Sequence, residues 1–452
     1  MTTTDHNTRW AERDLAHVWH PCTQMKDHES LPPLPLRSAR GVWLEDFNGR
    51  RYIDAVSSWW VNLFGHSHPV IAEALKDQID TLDHIMLAGM THGPAVELAE
   101  QLAQLVPDPL TRCFYADNGS AAVEAALKMS FHYWLHQGQT RPRFISLSNS
   151  YHGETLGALA VGDVPLYKST YGPLLLDNIV VPGPDCYERA EGVTWEAHSR
   201  AAFAAMEATL AEHAHSASAV IVEPLVQCAG SMRMYHPVYL KLLREACDRY
   251  NIHLIADEIA VGFGRTGTLF ACEQADIAPD FMCLSKGITG GTLPLSVVMT
   301  SEAIYQAFYD DYPTMKAFLH SHSYTGSALA CRAALATLSL FRASDVLADV
   351  RAKGAAMEEA AAPLRDHPHV GDIRRHGMIM AIELVQDRAT KTPFDWTQRR
   401  GRRIHRHALT EGVLLRPLGD VVYFMPPYVI NQDEIEQMVG AAIRGIDLAV
   451  RD

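Results

Sequence analysis

Basic residues are in the minority in this chain: 39 Lys and Arg stand against 53 Asp and Glu over 452 residues, a formal net charge of −14. The clearest basic cluster, Arg399-Arg400-Gly401-Arg402-Arg403, is short. A nucleic-acid partner is therefore not expected. Cysteine is sparse as well. The eight cysteines (Cys22, Cys113, Cys186, Cys228, Cys247, Cys272, Cys283 and Cys331) show no CxxC pair and no regular spacing. That pattern argues against a zinc site and against a disulfide framework, and no metal is expected. Apolar runs are short, none approaching the roughly 18 residues that cross a bilayer. The opening MTTTDHNTRWAERD has no apolar signal core. These absences predict a reduced, cytoplasmic protein with no membrane partner.

What is present is ordinary for a globular protein: 48% hydrophobic and 20% charged residues. The length is too great for one core and predicts two or three domains. A polar stretch with Trp10, Trp19 and LPPLP reads as an arm leading into the body. VWLEDFNGRRYIDAVS follows, two apolar runs around Asn48-Gly49, a strong hairpin signal. From about 70 to 330 helical spacing (PVIAEALKDQIDTL, GPAVELAEQLAQLV) alternates with strand-like runs. Those runs are TRCFYAD, PRFISLS, AVIVEPL, HLIAD, FMCLS and LSVVMT. The alternation predicts an α/β fold, a large domain whose mostly parallel sheet is covered by helices. Beyond 330 come a long helix, the strands of HVGDIRRHGMIMAIELV, a helix near 397–411 and strands flanking GVLLRPLGDVVYFMPP. This predicts a smaller α+β domain. The segments are then 1–69, an arm and hairpin packing with the small domain, 70–330, the large domain, and 331–452, the small one.

The chemistry is expected at strand ends. Asp257 closes the run before EIAVGFGRTG, and Lys286 closes FMCLS. Carboxyl ends of parallel strands point into the crevice where open α/β sheets bind ligands. A buried amine and carboxylate there suit a pyridoxal-phosphate site, the amine holding the cofactor and the carboxylate its ring nitrogen. A structural ion pair reads equally well from these two residues alone. Gly119-Ser120, between a strand and a helix, offers free N–H groups and a positive dipole end for phosphate; plain capping by Ser120 is the alternative. Tyr151-His152-Gly153 could stack an aromatic on a flat ring, or be a surface pair. Glu223 is a second strand-end carboxylate, to orient a ring hydroxyl or to be held by Arg265. Two adjacent tryptophans, Trp59-Trp60, cannot both face one core, so at least one lines a surface, a pocket or an interface, with pocket or interface favoured. Arg416 suits a bidentate grip on a carboxylate or is solvated. Thr325 caps a helix or donates to phosphate.

Taken together, GS(A) before a helix, YHG, VEP, ADEIAVGFGRTG, SKGITGG and the Thr-Gly pair resemble the class III, fold-type-I pyridoxal-phosphate aminotransferases. The resemblance covers nearly the whole chain from Trp19. Within that class VWHPCTQM, DAVSSWW, GMTHGPAVELAEQL, RMYHP, LFACE and RPLGDVVYFMPPY are similar to the diaminopelargonate synthase branch of biotin biosynthesis. The resemblance implies pyridoxal 5′-phosphate as cofactor, carried by Lys286, which also moves the proton. It implies that Asp257 pairs with the ring nitrogen and that Glu223 lies beside the ring. Gly119 and Ser120 hold the phosphate, joined by Tyr324 and Thr325 of a second copy in a homodimer with shared active sites. Tyr151 covers the ring and touches substrate. Trp59 and Trp60 line the substrate pocket, Arg416 takes the keto acid's carboxylate, and Ser323 lies beside the phosphate loop. The reaction implied is amination of 8-amino-7-oxononanoate to 7,8-diaminononanoate.

Two positions depart from the branch's enteric members: Cys22 stands where they carry a tyrosine that recognises both substrates, and Tyr324 where they carry proline. KAFLHSHSYTG is similar to a lysine-using group, whereas SSWW matches the S-adenosylmethionine-using form. S-adenosylmethionine is the expected donor and lysine the alternative. Another ω-aminotransferase acting on a diamine or ω-amino acid is a second reading. A non-catalytic cofactor-binding protein is a third, opposed by the intact lysine, aspartate and phosphate loop.

Overall fold

The computed structural model describes residues 5–451. The ends of the expected 1–69 and 331–452 segments, residues 1–4 and 452, lie outside the described residues. Two compact units divide the chain. The larger comprises Pro69–Gly354 and Arg374–Ile379; the smaller comprises the residues up to His68, Ala355–Ile373 and the residues from Met380 onward.

The larger unit is built on a seven-stranded sheet. Its strand order is Leu110–Ala116, Ser296–Ser301, Phe281–Leu284, His253–Asp257, Ala217–Val222, Arg143–Leu147, Ile179–Val181. The last five run parallel to one another, and only Ser296–Ser301 is antiparallel to its neighbours. Continuous apolar runs such as ASAVIV and FMCL are buried at every position because helices cover both faces. The helix Gly119–His136 lies on the sheet through small residues. Ala122, Ala125 and Ala126 let it approach Phe144, Ile221, Ile255 and Phe281 closely. The register sets the site: Ala256 pairs with Val222 and Asp257 with Cys283, so Asp257, Glu223 and the turn after Leu284 emerge at one sheet edge.

One boundary differs from expectation. The helix Ala328–Ala343, expected to open the small domain at 331, belongs to the larger unit, which runs on to Gly354. The cause is packing: Ala333 and Ala336 share a core with Ile71 and Ala74 of the helix Pro69–Thr81.

In the smaller unit a sheet orders strands Leu36–Arg40, Trp43–Asp46, Arg51–Asp54 and Val413–Leu414. The hairpin at Asn48-Gly49 forms, with Gly49 at φ 84 and Glu45 opposite Arg51. A second sheet pairs Met380–Glu383 with Val421–Phe424, and the helices Arg400–Thr410 and Gln432–Ala449 belong to the same unit.

Candidate active site

At the carboxyl edge of the large sheet, Asp257 is 4% exposed. Its Oδ1 accepts from the Ile259 N–H at 3.1 Å, and its Oδ2 lies 2.7 Å from His152 Nδ1. His152 is buried and reaches Asp257 across the intervening strand Ala217–Val222. The sequence leaves Tyr151-His152-Gly153 either as a ring-stacking segment or as a surface pair and gives the histidine no role of its own; here it supports the aspartate. No local pattern marks it, because the contact exists only once three strands are in register.

Glu223 accepts the backbone N–H of Tyr151 at 2.9 Å and of Cys228 at 3.0 Å. Burial pushes its carboxyl up to about 7, with Asp257 adding to the rise while His152 and the two N–H groups oppose it. Lys286 follows the strand Phe281–Leu284 at φ 47, in the left-handed region that costs a non-glycine residue about 1–3 kcal/mol. The turn is fixed by Ser285 Oγ, which donates to the Leu295 carbonyl at 2.7 Å. Burial pulls the Lys286 ammonium below its usual value, opposed by Cys228, Asp257 and Glu223. A buried amine whose pKa is lowered toward the working range is better placed to give and take a proton than a solvated lysine.

The helix Gly119–His136 begins at the same edge. Its cap is Asn118, whose Oδ1 accepts from Ala121 N at 3.1 Å, and not Ser120. The Ser120 hydroxyl is thereby released from capping, and it accepts from Glu154 N at 3.2 Å. Gly153 closes over it: an added Cβ would stand 2.1 Å from Ser120 Oγ and 3.1 Å from Ser120 Cα. With Gly153 at φ 127, Gly153→Ala is expected to lower stability by about 1–3 kcal/mol and to weaken anion binding at this helix end. Thermal melts with and without phosphate would read both effects. The Tyr151 hydroxyl donates to Glu154 at 3.0 Å, and its ring meets Tyr167 edge-on. Glu154 is a second residue that sequence reading did not single out.

Ser323 and Tyr324 are exposed and Thr325 is half-buried, on the segment leading to the helix Ala328–Ala343. The cap of that helix is Ser327, while Thr325 Oγ1 accepts from His322 N at 2.9 Å. Tyr324 packs its ring against His84.

In the smaller unit the adjacent tryptophans part company. Ser57, Ser58, Trp59 and Trp60 all have positive φ, from 47 to 75. Asp54 holds this left-handed turn, accepting from Ser58 N at 2.9 Å and Ser58 Oγ at 2.7 Å, while Ser57 Oγ donates to Met425 O at 2.7 Å. Trp60, expected with Trp59 in a substrate pocket, is a core residue, 4% exposed, its indole N–H donating to Tyr423 at 3.0 Å. Trp59 is the exposed one, and the Arg416 guanidinium sits 4.5 Å from its ring centroid. Stacking of this kind leaves the planar edge of an arginine open to a carboxylate. Cys22 is exposed on the N-terminal arm at φ 48.

Among the described residues no cluster of His, Cys, Asp and Glu could hold a metal ion, and no helix is long and apolar enough to cross a membrane. The large-unit edge offers hydroxyl and N–H donors for a phosphate, carboxylates for a ring, and a buried amine, the set of groups that fits pyridoxal phosphate.

Comparison with known proteins agrees with this geometry. The chain is 46% identical over 443 residues to an adenosylmethionine-8-amino-7-oxononanoate aminotransferase of Helicobacter pylori, covering 97% of each protein. It is 45% identical to one of Geobacter sulfurreducens, covering 96% of each. The crystal structure of the Methanocaldococcus jannaschii enzyme of that name superposes with a TM-score of 0.92 at 35% identity, over 98% of this chain and 99% of that one. An (S)-enantioselective ω-transaminase of Thermomicrobium roseum superposes with a TM-score of 0.93 at 30% identity, over 98% of both. The backbone therefore does not separate these two groups. Residues 24–445 match the family Aminotransferase class-III. With a buried amine and two carboxylates at the carboxyl edge of a parallel sheet, and a family match over almost its whole length, this protein is a member of the class-III aminotransferase family.

Proposed function

We propose that the protein transfers an amino group from S-adenosylmethionine to 8-amino-7-oxononanoate, giving 7,8-diaminononanoate for biotin synthesis, with pyridoxal 5′-phosphate as cofactor. The observation that carries this reading is 35–46% identity over 94% or more of this chain to relatives bearing that name, against 28–30% for the ω-transaminases of the same fold. When bound, pyridoxal phosphate supplies an electron sink and a carrier for the amino group.

The chain's residues then take these roles. Gly119, Ser120 and the helix start hold the phosphate, completed by Tyr324 and Thr325 from a second copy, so that a homodimer is the working form. Asp257, oriented by His152, would hold a proton on the ring nitrogen, and Glu223 would be the second carboxylate beside the ring. Tyr151 covers the ring and touches substrate, its hydroxyl committed as donor to Glu154. Lys286 carries the cofactor and moves the proton. Arg416 takes the terminal carboxylate from its place on Trp59; Cys22 touches the substrate, and Ser323 lies at the margin of its site.

Complementation tests the pathway assignment. A biotin auxotroph lacking this step is expected to grow without biotin when it expresses the chain, and to fail with Lys286→Ala. Continued auxotrophy with well-expressed protein counts against the assignment. Arg416→Ala is expected to raise the KM for 8-amino-7-oxononanoate by roughly 10–100-fold with a smaller change in kcat, the loss of a charge-assisted bidentate contact. Steady-state kinetics at fixed donor measures it.

A further inference from the structure

The arginine-rich run Arg399–Arg403 finds its use inside the smaller unit. Arg399 precedes the helix Arg400–Thr410 in the left-handed region at φ 52, and Arg402 and Arg406 share one side of that helix. They converge on the short 3-10 turn Met25–Glu29 and the residue after it. Arg399 grips Asp27 with both guanidinium nitrogens, Nη1 to Oδ1 at 2.6 Å and Nη2 to Oδ2. Arg402 Nη2 donates to the Asp27 carbonyl at 2.8 Å and to Ser30 Oγ at 2.9 Å, and Arg406 Nη2 to the Ser30 carbonyl at 2.6 Å. The backbone bonds from Asp27 N to Gln24 O and from Ser30 N to Asp27 O close only single turns, so these side chains tie the segment to the helix. Isolated surface ion pairs contribute little, but a bidentate pair within a network does hold geometry. The same helix reaches the other way: His405 Nδ1 lies 2.5 Å from the carbonyl of Leu415, the residue before Arg416.

We propose that the helix Arg400–Thr410 is a positioning element for substrate, its arginine row and His405 setting the place of the Cys22 segment relative to the Arg416 carboxylate anchor. Arg399, Arg402 and Asp27 are then specificity-determining positioning residues that touch no substrate. The proposal rests on the assignment of Cys22 and Arg416 as substrate contacts made above. A long keto acid held at both places depends on their fixed spacing, whereas a short keto acid bound by the anchor alone does not.

The test uses the pyridoxal-phosphate-loaded protein with Arg399→Ala, Asp27→Asn and the double variant. Each is expected to raise the KM for 8-amino-7-oxononanoate roughly tenfold, as loss of a charged hydrogen bond does, with kcat held within about twofold. The double variant is expected to match the singles, because the two side chains form one contact. KM for pyruvate, as a short keto acid, is expected to stay unchanged. A second readout needs no turnover. Cys22 is the exposed thiol among the eight, so its modification by a thiol reagent should be slowed by saturating 8-amino-7-oxononanoate in the parent protein and not in Arg399→Ala. Unchanged KM and retained protection in both single variants overturn the proposal, as does an equal rise in KM for both acceptors. A parent protein that neither aminates nor is protected by 8-amino-7-oxononanoate overturns the substrate assignment instead.

Discussion

Lys286→Ala is expected to stop turnover, lowering kcat by about 10⁴-fold or more, since it removes both the cofactor's attachment and the group that moves the proton. The fold should survive. Alanine meets the same left-handed backbone at φ 47, and Ser285 still anchors the turn through Leu295. Circular dichroism and thermal melting should therefore be close to those of the parent while activity vanishes. The parent's pH profile carries the matching signature. The neutral amine is the base, and burial lowers its pKa below the usual 10.5. Activity should thus rise with pH through a value under 10.5, and that limb should be absent from residual rates in Lys286→Ala.

Asp257→Asn is the second large effect, an expected loss of about 10³-fold in kcat together with weaker cofactor retention. The substitution keeps the shape of the side chain. It can still accept from Ile259 N and meet His152, the contacts seen at 3.1 Å and 2.7 Å. What it removes is charge at a site 4% exposed, where an unscreened partner for the ring nitrogen counts most. Losing one member of a buried charged pair costs about 3–5 kcal/mol, which sets the expected scale. Gel filtration followed by absorbance would read cofactor retention, and single-turnover kinetics the rate. An Asp257→Asn protein with parental kcat would leave the aspartate a structural role only.

Much of this site can be read in the chain because its parts sit where local patterns end. The apolar runs before Asp257, Lys286 and Glu223 are strands, and a strand's last residue must emerge at the sheet edge. Asn48-Gly49 is a hairpin for an equally local reason, the left-handed turn that Gly49 supplies. What stays hidden depends on distant parts meeting. His152 becomes a partner of Asp257 only across the strand Ala217–Val222. Trp59 and Trp60 separate because Ser-Ser-Trp-Trp adopts a left-handed turn that no glycine announces, imposed by Asp54 and the Met425 carbonyl. Ser120 looks like a cap, yet Asn118 does the capping. The helix Ala328–Ala343 follows a change of pattern near 330, but its alanine face packs on the helix Pro69–Thr81 and keeps it in the larger unit. The arginine run shows no partner in the sequence itself, because Asp27 lies far off in the chain and meets it only in the fold.

Amination of 8-amino-7-oxononanoate is the central claim, and mass spectrometry of the product tests it most directly. Purified protein loaded with pyridoxal phosphate would be given 8-amino-7-oxononanoate with S-adenosylmethionine or, separately, lysine. The expected result is 7,8-diaminononanoate with S-adenosylmethionine and not with lysine. Product from lysine alone would overturn the donor. No diamine from either, with ready amination of short keto acids by an ω-amino acid, would contradict the substrate assignment and leave a class-III aminotransferase of another specificity.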